Sequence, residues 1–186
     1  MDQRHAEPAG DVRDVDLAAG SFDVAHAHQV LQHLRDPVGT LVAIGALVRP
    51  GGLVAVRDAD YPAMRWSPTS PALDRWLEVY LAVTAANGAN ADAGRHLATW
   101  AGEAGLVDVR ASSSSWTFDS AEDVAWWGGL WAERTTSSSF GSQAVAYGVA
   151  TVEELQVVAA GWRSWATAPG ASFTVPHGEV LATTRR

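Results

Sequence analysis

The 186-residue chain has no cysteine and no lysine, and Ile44 is its single isoleucine. Without cysteine, disulfides, thiolate nucleophiles and cysteine-ligated zinc are excluded together. All 13 basic side chains are arginines, set against 21 Asp and Glu for a net charge of −8, and they nowhere cluster. Neutralising phosphates requires a positive patch, so nucleic acid is not expected as a partner. No apolar run reaches the roughly 18 residues that a membrane span needs. The opening segment carries Asp2, Arg4, His5, Glu7, Asp11, Arg13 and Asp14 in place of the apolar stretch of a secretory signal. These absences point to a cytoplasmic location. What remains is a chain of 47% hydrophobic content, long enough for one domain over residues 1–186 with an ordinary core.

Phe22 to His28 (FDVAHAH), bounded by Gly20-Ser21, reads as a strand buried on both faces, as in a parallel sheet. Asp36-Pro37 marks a helix start, since Pro is favourable there, and the helix runs to Val48. Arg49-Pro50-Gly51-Gly52 is expected to end it as a turn, with Leu53 to Arg57 (LVAVR) as the next strand. Strand, helix and strand with short joins make a right-handed parallel unit. Pro62 to Pro71 reads as loop, and Ala72 to Ala86 as a helix with Leu73, Trp76, Leu77, Tyr80 and Leu81 at spacings of three and four. A helix over Gly94 to Ala104, a strand over Val107 to Phe118 and a helix capped by Ser120 follow. Thr135 to Phe140 breaks that helix, Thr151 caps the last one, and Ala171 to Thr184 is a final strand kinked at Pro176. Residues 119–168 thus form a helical segment.

Four groups carry possible chemistry. His26 and His28 alternate on the first strand, and His33 lies beyond its carboxyl end, where ligands of doubly wound sheets bind. An H-x-H pair could ligate a metal, but no suitably spaced third carboxylate accompanies it, so no metal site is expected. His28 or His33 is the candidate general base. Asp58, Asp60 and Tyr61 close the second strand, either as a charged strand end or as ligand contacts. Arg95 near a helix start opposes the helix dipole, which points to a carboxylate or a substrate holding it there. Trp126, Trp127 and Trp131 crowd one helix and cannot share a face, and Trp127 could line an aromatic acceptor pocket.

The ensemble of GSFD (20–23), LQHL (31–34), DP (36–37) and RPGG (49–52) resembles the middle of class I S-adenosylmethionine-dependent methyltransferases of the small-molecule, type 11 group. The resemblance implies an α/β fold: a partial doubly wound, Rossmann-like sheet with helices on both faces. It makes Asp11 and Val12 of Gly10-Asp11-Val12 the adenine-edge residues, and Ala27, His28 and Gln29 the methionine and ribose side. Asp58, Asp60, Tyr61, Arg95 and Trp127 fall on the acceptor side, with Arg95 in a segment (94–97, GRHL) like the family's Gly-Arg-x-Leu helix. The family's G-x-G-x-G turn and ribose-binding acid have no counterpart here. The expectation is therefore an N-terminally truncated member, binding S-adenosylmethionine weakly or not at all, with Phe22–His28 as an exposed edge strand. Such an edge invites self-association or a partner chain. The expected activity is methyl transfer to a small-molecule acceptor. The alternatives are an inactive methyltransferase-like partner and a small-molecule binding protein.

Overall fold

Five strands and six helices build the structure, a computed structural model that describes residues 10–186. In chain order they are β1 (Phe22–His28), α1 (Pro37–Leu47), β2 (Val48–Ala59), β3 (Arg65–Ser67), α2 (Pro71–Ala86), α3 (Leu97–Glu103), β4 (Val107–Phe118), α4 (Ala121–Ser137), α5 (Ser139–Ala146), α6 (Val152–Ala166) and β5 (Ser172–Thr183). Local chemistry explains most boundaries. Asp36 accepts a hydrogen bond from the Gly39 amide at 2.8 Å and Pro37 opens α1. Thr151 and Glu154 form a reciprocal capping box at the start of α6. Ser120 caps α4 and Ser138 caps α5.

β1 and β2 pair in parallel, Val24 opposite Leu53 and His28 opposite Arg57. β5 then runs antiparallel to β2, with Leu53 opposite Thr183 and Ala59 opposite His177. Its other edge pairs antiparallel with β4 along nearly its whole length, and β3 continues the line of β2 against Ser172–Thr174. The last strand is thus inserted between β2 and β4. Helices cover both faces. Leu41, Ile44, Leu97 and Ala101 of α1 and α3 pack on Val54, Val56, Val180 and Ala182. On the opposite face Trp76, Trp127, Trp131, Trp162 and Trp165 of α2, α4 and α6 enclose Phe173.

β5 serves both layers by changing its buried face. Phe173, Val175 and His177 are buried on one side, and Val180 and Ala182 on the other, with the change at Gly178–Glu179. Beyond that point the aromatic layer no longer covers its face of the sheet. Leu181, Val24 and Trp116 stay exposed there, Val24 at 52%.

The helices fall close to their expected places, with four differences. Pro50-Gly51-Gly52 is not a turn after the helix. It lies inside β2, where Val48 already pairs with Phe22 and the ladder shifts register before Val24. Gly51 takes φ +73°, and a side chain at Gly52 would meet the Asp23 carbonyl at 2.8 Å, so the irregularity requires these glycines. The helix expected over Gly94–Ala104 is a tight turn at Ala93–Arg95 followed by the shorter α3. The Pro62–Pro71 loop contains β3, and α5 follows the break after α4. Among the described residues β1 has a partner on one edge only.

Candidate functional site at the carboxyl ends of the parallel strands

β1 and β2 end side by side, and the chain leaving β1 is held there by a buried polar lock. Asp58, wholly buried, accepts the Gln32 amide at 3.0 Å, and the Leu31 and Val30 amides also face its carboxylate. Gln32 returns the contact, its Oε1 accepting the Ala59 amide at 3.1 Å. Burial pushes Asp58 up to about 6, against the opposing pull of those three amides. Asp58 and Gln32 thereby fix the 31–33 turn across the end of β2.

The Gln32 bond also settles a proton. Because Oε1 faces a donor, Nε2 is the end that lies 3.1 Å from His33 Nε2, and it donates there. His33 is therefore neutral with its proton on Nδ1, and desolvation lowers its pKa further. His28 is in the same state. Its Nε2 accepts from Arg57 Nη1 at 2.8 Å, and desolvation, then Arg57, then His26 lower its pKa. Both expected bases have Nε2 already occupied by a donor, so each offers an N–H rather than a free lone pair.

On the uncovered face the ends of β1, β2, β4 and β5 share one network. Arg57 donates to Glu179 at 3.0 Å and to Ser114, and its guanidinium lies 4.9 Å from the Trp116 ring. Ser112 and Ser114 both donate to Glu179 and hold its pKa down. Gln29, at φ +54°, donates its amide N–H to the Arg57 carbonyl at 2.7 Å, and its side chain meets His177 Nε2 at 3.0 Å. His177 is 2% exposed and its Nδ1 has no partner. Desolvation and then the Arg57 charge push it down to about 4.

The remaining candidates divide by location. Asp60 takes Arg95 as its partner at 2.7 Å, so the cation near the α3 start is held by a carboxylate of the strand end. Tyr61 stacks on Tyr80 at 4.2 Å, and burial raises both hydroxyl pKa values. Ala27 points into the α1–α3 core. Trp127 is buried in the aromatic layer, stacked on Phe118 at 4.3 Å, which leaves Trp126 as the exposed indole of that pair. Both oxygens of Asp11 are engaged by Arg13, which brings its carboxyl down to about 2, and Val12 packs on the α1–α3 core. The structure thus brings His28, Gln29 and Arg57 together, and separately Asp60 and Arg95, while Trp127 and Asp11 stand apart. Gln32, His177, Glu179, Ser112 and Ser114 were not expected. The one sequence signal for them is the weakly alternating serine run of β4. Among the described residues no three His, Asp or Glu converge as a metal site, and no helix is long and apolar enough to cross a membrane.

A family model described as a methyltransferase domain matches residues 1–111, more than half of the chain. The chain belongs to the class I S-adenosylmethionine-dependent methyltransferase family. An uncharacterised methyltransferase of Schizosaccharomyces pombe is 29% identical over 175 residues, covering 92% of this chain and 62% of that protein. The chain thus spans somewhat under two thirds of that relative's length. A 37.1 kDa protein in transposon Tn4556 of Streptomyces fradiae is 34% identical over 55 residues, 30% of this chain and 16% of its own. The crystal structure of the YcgJ protein from Bacillus subtilis superposes with a TM-score of 0.52 at 12% identity, covering 95% of this chain and 70% of that one. That likeness is one of fold, an α/β sheet flanked by helices. For this family member the Asp58–Gln32 lock, the Arg57 network and the Asp60–Arg95 pair mark the end of the sheet where ligands of such folds lie.

The lock makes a pH prediction. Asp58 is raised in the folded state, so its contribution is fully present below its ordinary value of 3.8 and is lost as pH rises through about 6. His177 is lowered, so its contribution is present above 6.5 and is lost as pH falls through about 4. The two slopes oppose each other between these limits. In Asp58→Asn only the His177 slope remains. Between pH 7 and pH 4 the wild type should therefore gain roughly 2–3 kcal/mol relative to the variant. Urea unfolding across that range measures it, and a difference independent of pH would remove Asp58 as the titrating group.

Proposed function

We propose that this domain forms the acceptor-side part of an S-adenosylmethionine-dependent methyltransferase that acts on a small molecule. The observation that carries the reading is the strand-end site itself, in a chain of this family. Two parallel strands end under a fixed turn, beside polar groups whose protons are already assigned. The chemistry of such a site is in-line displacement at a sulfonium carbon, where holding donor and acceptor in contact supplies most of the rate. Occupied histidine nitrogens accord with that division of labour, since positioning needs no strong base at Nε2.

The residues present do not by themselves fit the cofactor. The 186 residues contain no G-x-G-x-G motif to cradle a methionine carboxylate, and among the described residues Asp11, the adenine-edge candidate, is engaged by Arg13. We therefore propose that methyl transfer by these 186 residues alone is impaired. The second reading, a methyltransferase-like partner protein, is favoured by β1 having a partner on one edge only among the described residues, an edge that a strand of another chain could extend. Titration calorimetry of the 186-residue chain with S-adenosylmethionine is the test. No heat of binding in the micromolar range is expected. A micromolar constant would show that the strand ends and the 10–34 segment suffice to hold it.

A further inference from the structure

A cavity of about 300 Å³ opens between the 31–33 turn, the last turns of α2 and the first turn of α5. His33, Tyr80, Thr84, Asn87, Ser139 and Gln143 bring polar groups to it, with Val83 and Phe140 as apolar wall. No ionised side chain lines it. His33 is neutral through its bond from Gln32. Asn87 and Gln143 are paired amide to amide at 3.0 Å, and Tyr147 donates to Asn87 at 2.8 Å. Tyr80 and Phe140 are 5.6 Å apart and inclined at 49°, and with Tyr61 stacked on Tyr80 at 4.2 Å they form an aromatic wall on which a flat ring can rest. The cavity adjoins the strand-end site directly, because the turn that Asp58 and Gln32 fix also carries His33.

We infer that this cavity seats the methyl acceptor, and that the acceptor is an uncharged, hydroxyl-bearing ring compound. The inference rests on the methyltransferase reading for the word acceptor, and on the cavity alone for the ligand class. Charge on the ligand is disfavoured because the lining offers neutral donors and acceptors and no counter-ion, and desolvating an unpaired charge is expensive. Hydroxyl groups, in contrast, find a donor in the Ser139 hydroxyl and acceptors in the Thr84 oxygen and the remaining lone pairs of the amide oxygens. Two full positive charges lie just outside the lining: Arg35 donates to the Asn87 backbone carbonyl at 3.0 Å, and the field of Arg134 reaches the Tyr80 hydroxyl. The test must therefore include an anion.

Three probes of matched size separate the cases: 4-hydroxybenzyl alcohol, 4-hydroxybenzoate and 4-hydroxybenzylamine. Each is titrated into the ¹⁵N-labelled full chain without S-adenosylmethionine. The neutral probe is expected to shift the amides of His33, Thr84, Asn87 and Gln143 with a roughly millimolar constant, as its few atoms allow. The anion and the cation should bind about tenfold more weakly or not at all. Ser139→Leu, which fills the cavity from the exposed start of α5, should abolish the shifts while leaving the melting temperature unchanged. If that variant misfolds, Ser139→Ala serves, with a weaker but still cavity-confined response. Equal binding of the benzoate would overturn the charge argument, and shifts confined to other residues, or none from any probe, would overturn the cavity. Because no cofactor is present, failure of methyl transfer leaves this result standing, and failure here leaves the cofactor question untouched.

Discussion

Gly178→Ala is expected to destabilise the protein by about 3 kcal/mol or more, toward or beyond the upper end of what overpacking costs. A Cβ at position 178 would overlap the carbonyl oxygen of Gly94. Seen from the other side, a Cβ at Gly94 would stand 2.7 Å from the Asp58 carbonyl and 2.8 Å from the Gly178 nitrogen. Every atom in this contact is backbone, so no side chain can rotate away. Asp58 and Gly178 are directly paired across β2 and β5, and the Ala93–Arg95 turn sits on that pair. The same contact aims Arg95 at Asp60, so Gly94→Ala should also disturb the 2.7 Å ion pair. For a domain of this size, each kcal/mol lowers the melting temperature by roughly 2–4 °C, which puts the expected loss near 10 °C. Gly102→Ala is the control. It lies in α3 with nothing within 4 Å of a new Cβ, and should be neutral or stabilising by up to about 1 kcal/mol. Calorimetric melting of the three variants beside the wild type decides the matter. A Gly178→Ala protein within 1 °C of wild type would mean the turn does not seat on the sheet as described.

Val24→Lys is expected to abolish the self-association proposed for the β1 edge. β1 pairs with β2 alone among the described residues, its sequence FDVAHAH contains neither Lys nor Pro, and Val24 is 52% exposed. An edge of this kind presents unpaired N–H and C=O groups to other strands, and a lysine on it is a recognised deterrent. The substitution reduces the net charge from −8 toward neutrality. Loss of association therefore cannot come from stronger overall repulsion. Val157→Lys, at a still more exposed valine on α6 remote from any strand edge, separates the edge from general surface polarity and should associate like wild type. Sedimentation velocity over a concentration series reads the outcome. A wild-type chain that stays monomeric at high concentration would show that the edge is covered, and would end the partner-chain reading with it.

The βαβ unit at the start of the described chain is legible because its information is local. An apolar run, Asp36 with Pro37 to cap and open α1, and a second apolar run each act within a few residues. The same holds for the α4 and α6 caps. Arg95 shows how far such reasoning extends: its conflict with a helix start called for a carboxylate or a substrate without saying which, and Asp60 stands 2.7 Å from it. Local reasoning failed at Pro50-Gly51-Gly52, where turn chemistry serves a strand irregularity. It also missed α5, a helix of eight residues resting on α2 and α6 rather than on its own propensity.

The sequence by itself determined the strand–helix–strand unit, the capped helices, the exclusion of thiol chemistry and the family to which the motifs belong. Tertiary structure decided the rest, because the deciding partners are far apart in the chain. Gln29 meets His177 across 148 positions, and Arg57 meets Glu179 across 122. The change of buried face in β5, the backbone contact of Gly94 with Gly178 and the protons on His28 and His33 all follow from such pairings. No periodicity or local propensity encodes them, since each depends on which strands come to lie side by side, β1 against β2 for the two histidines and β5 against β2 and β4 for the rest.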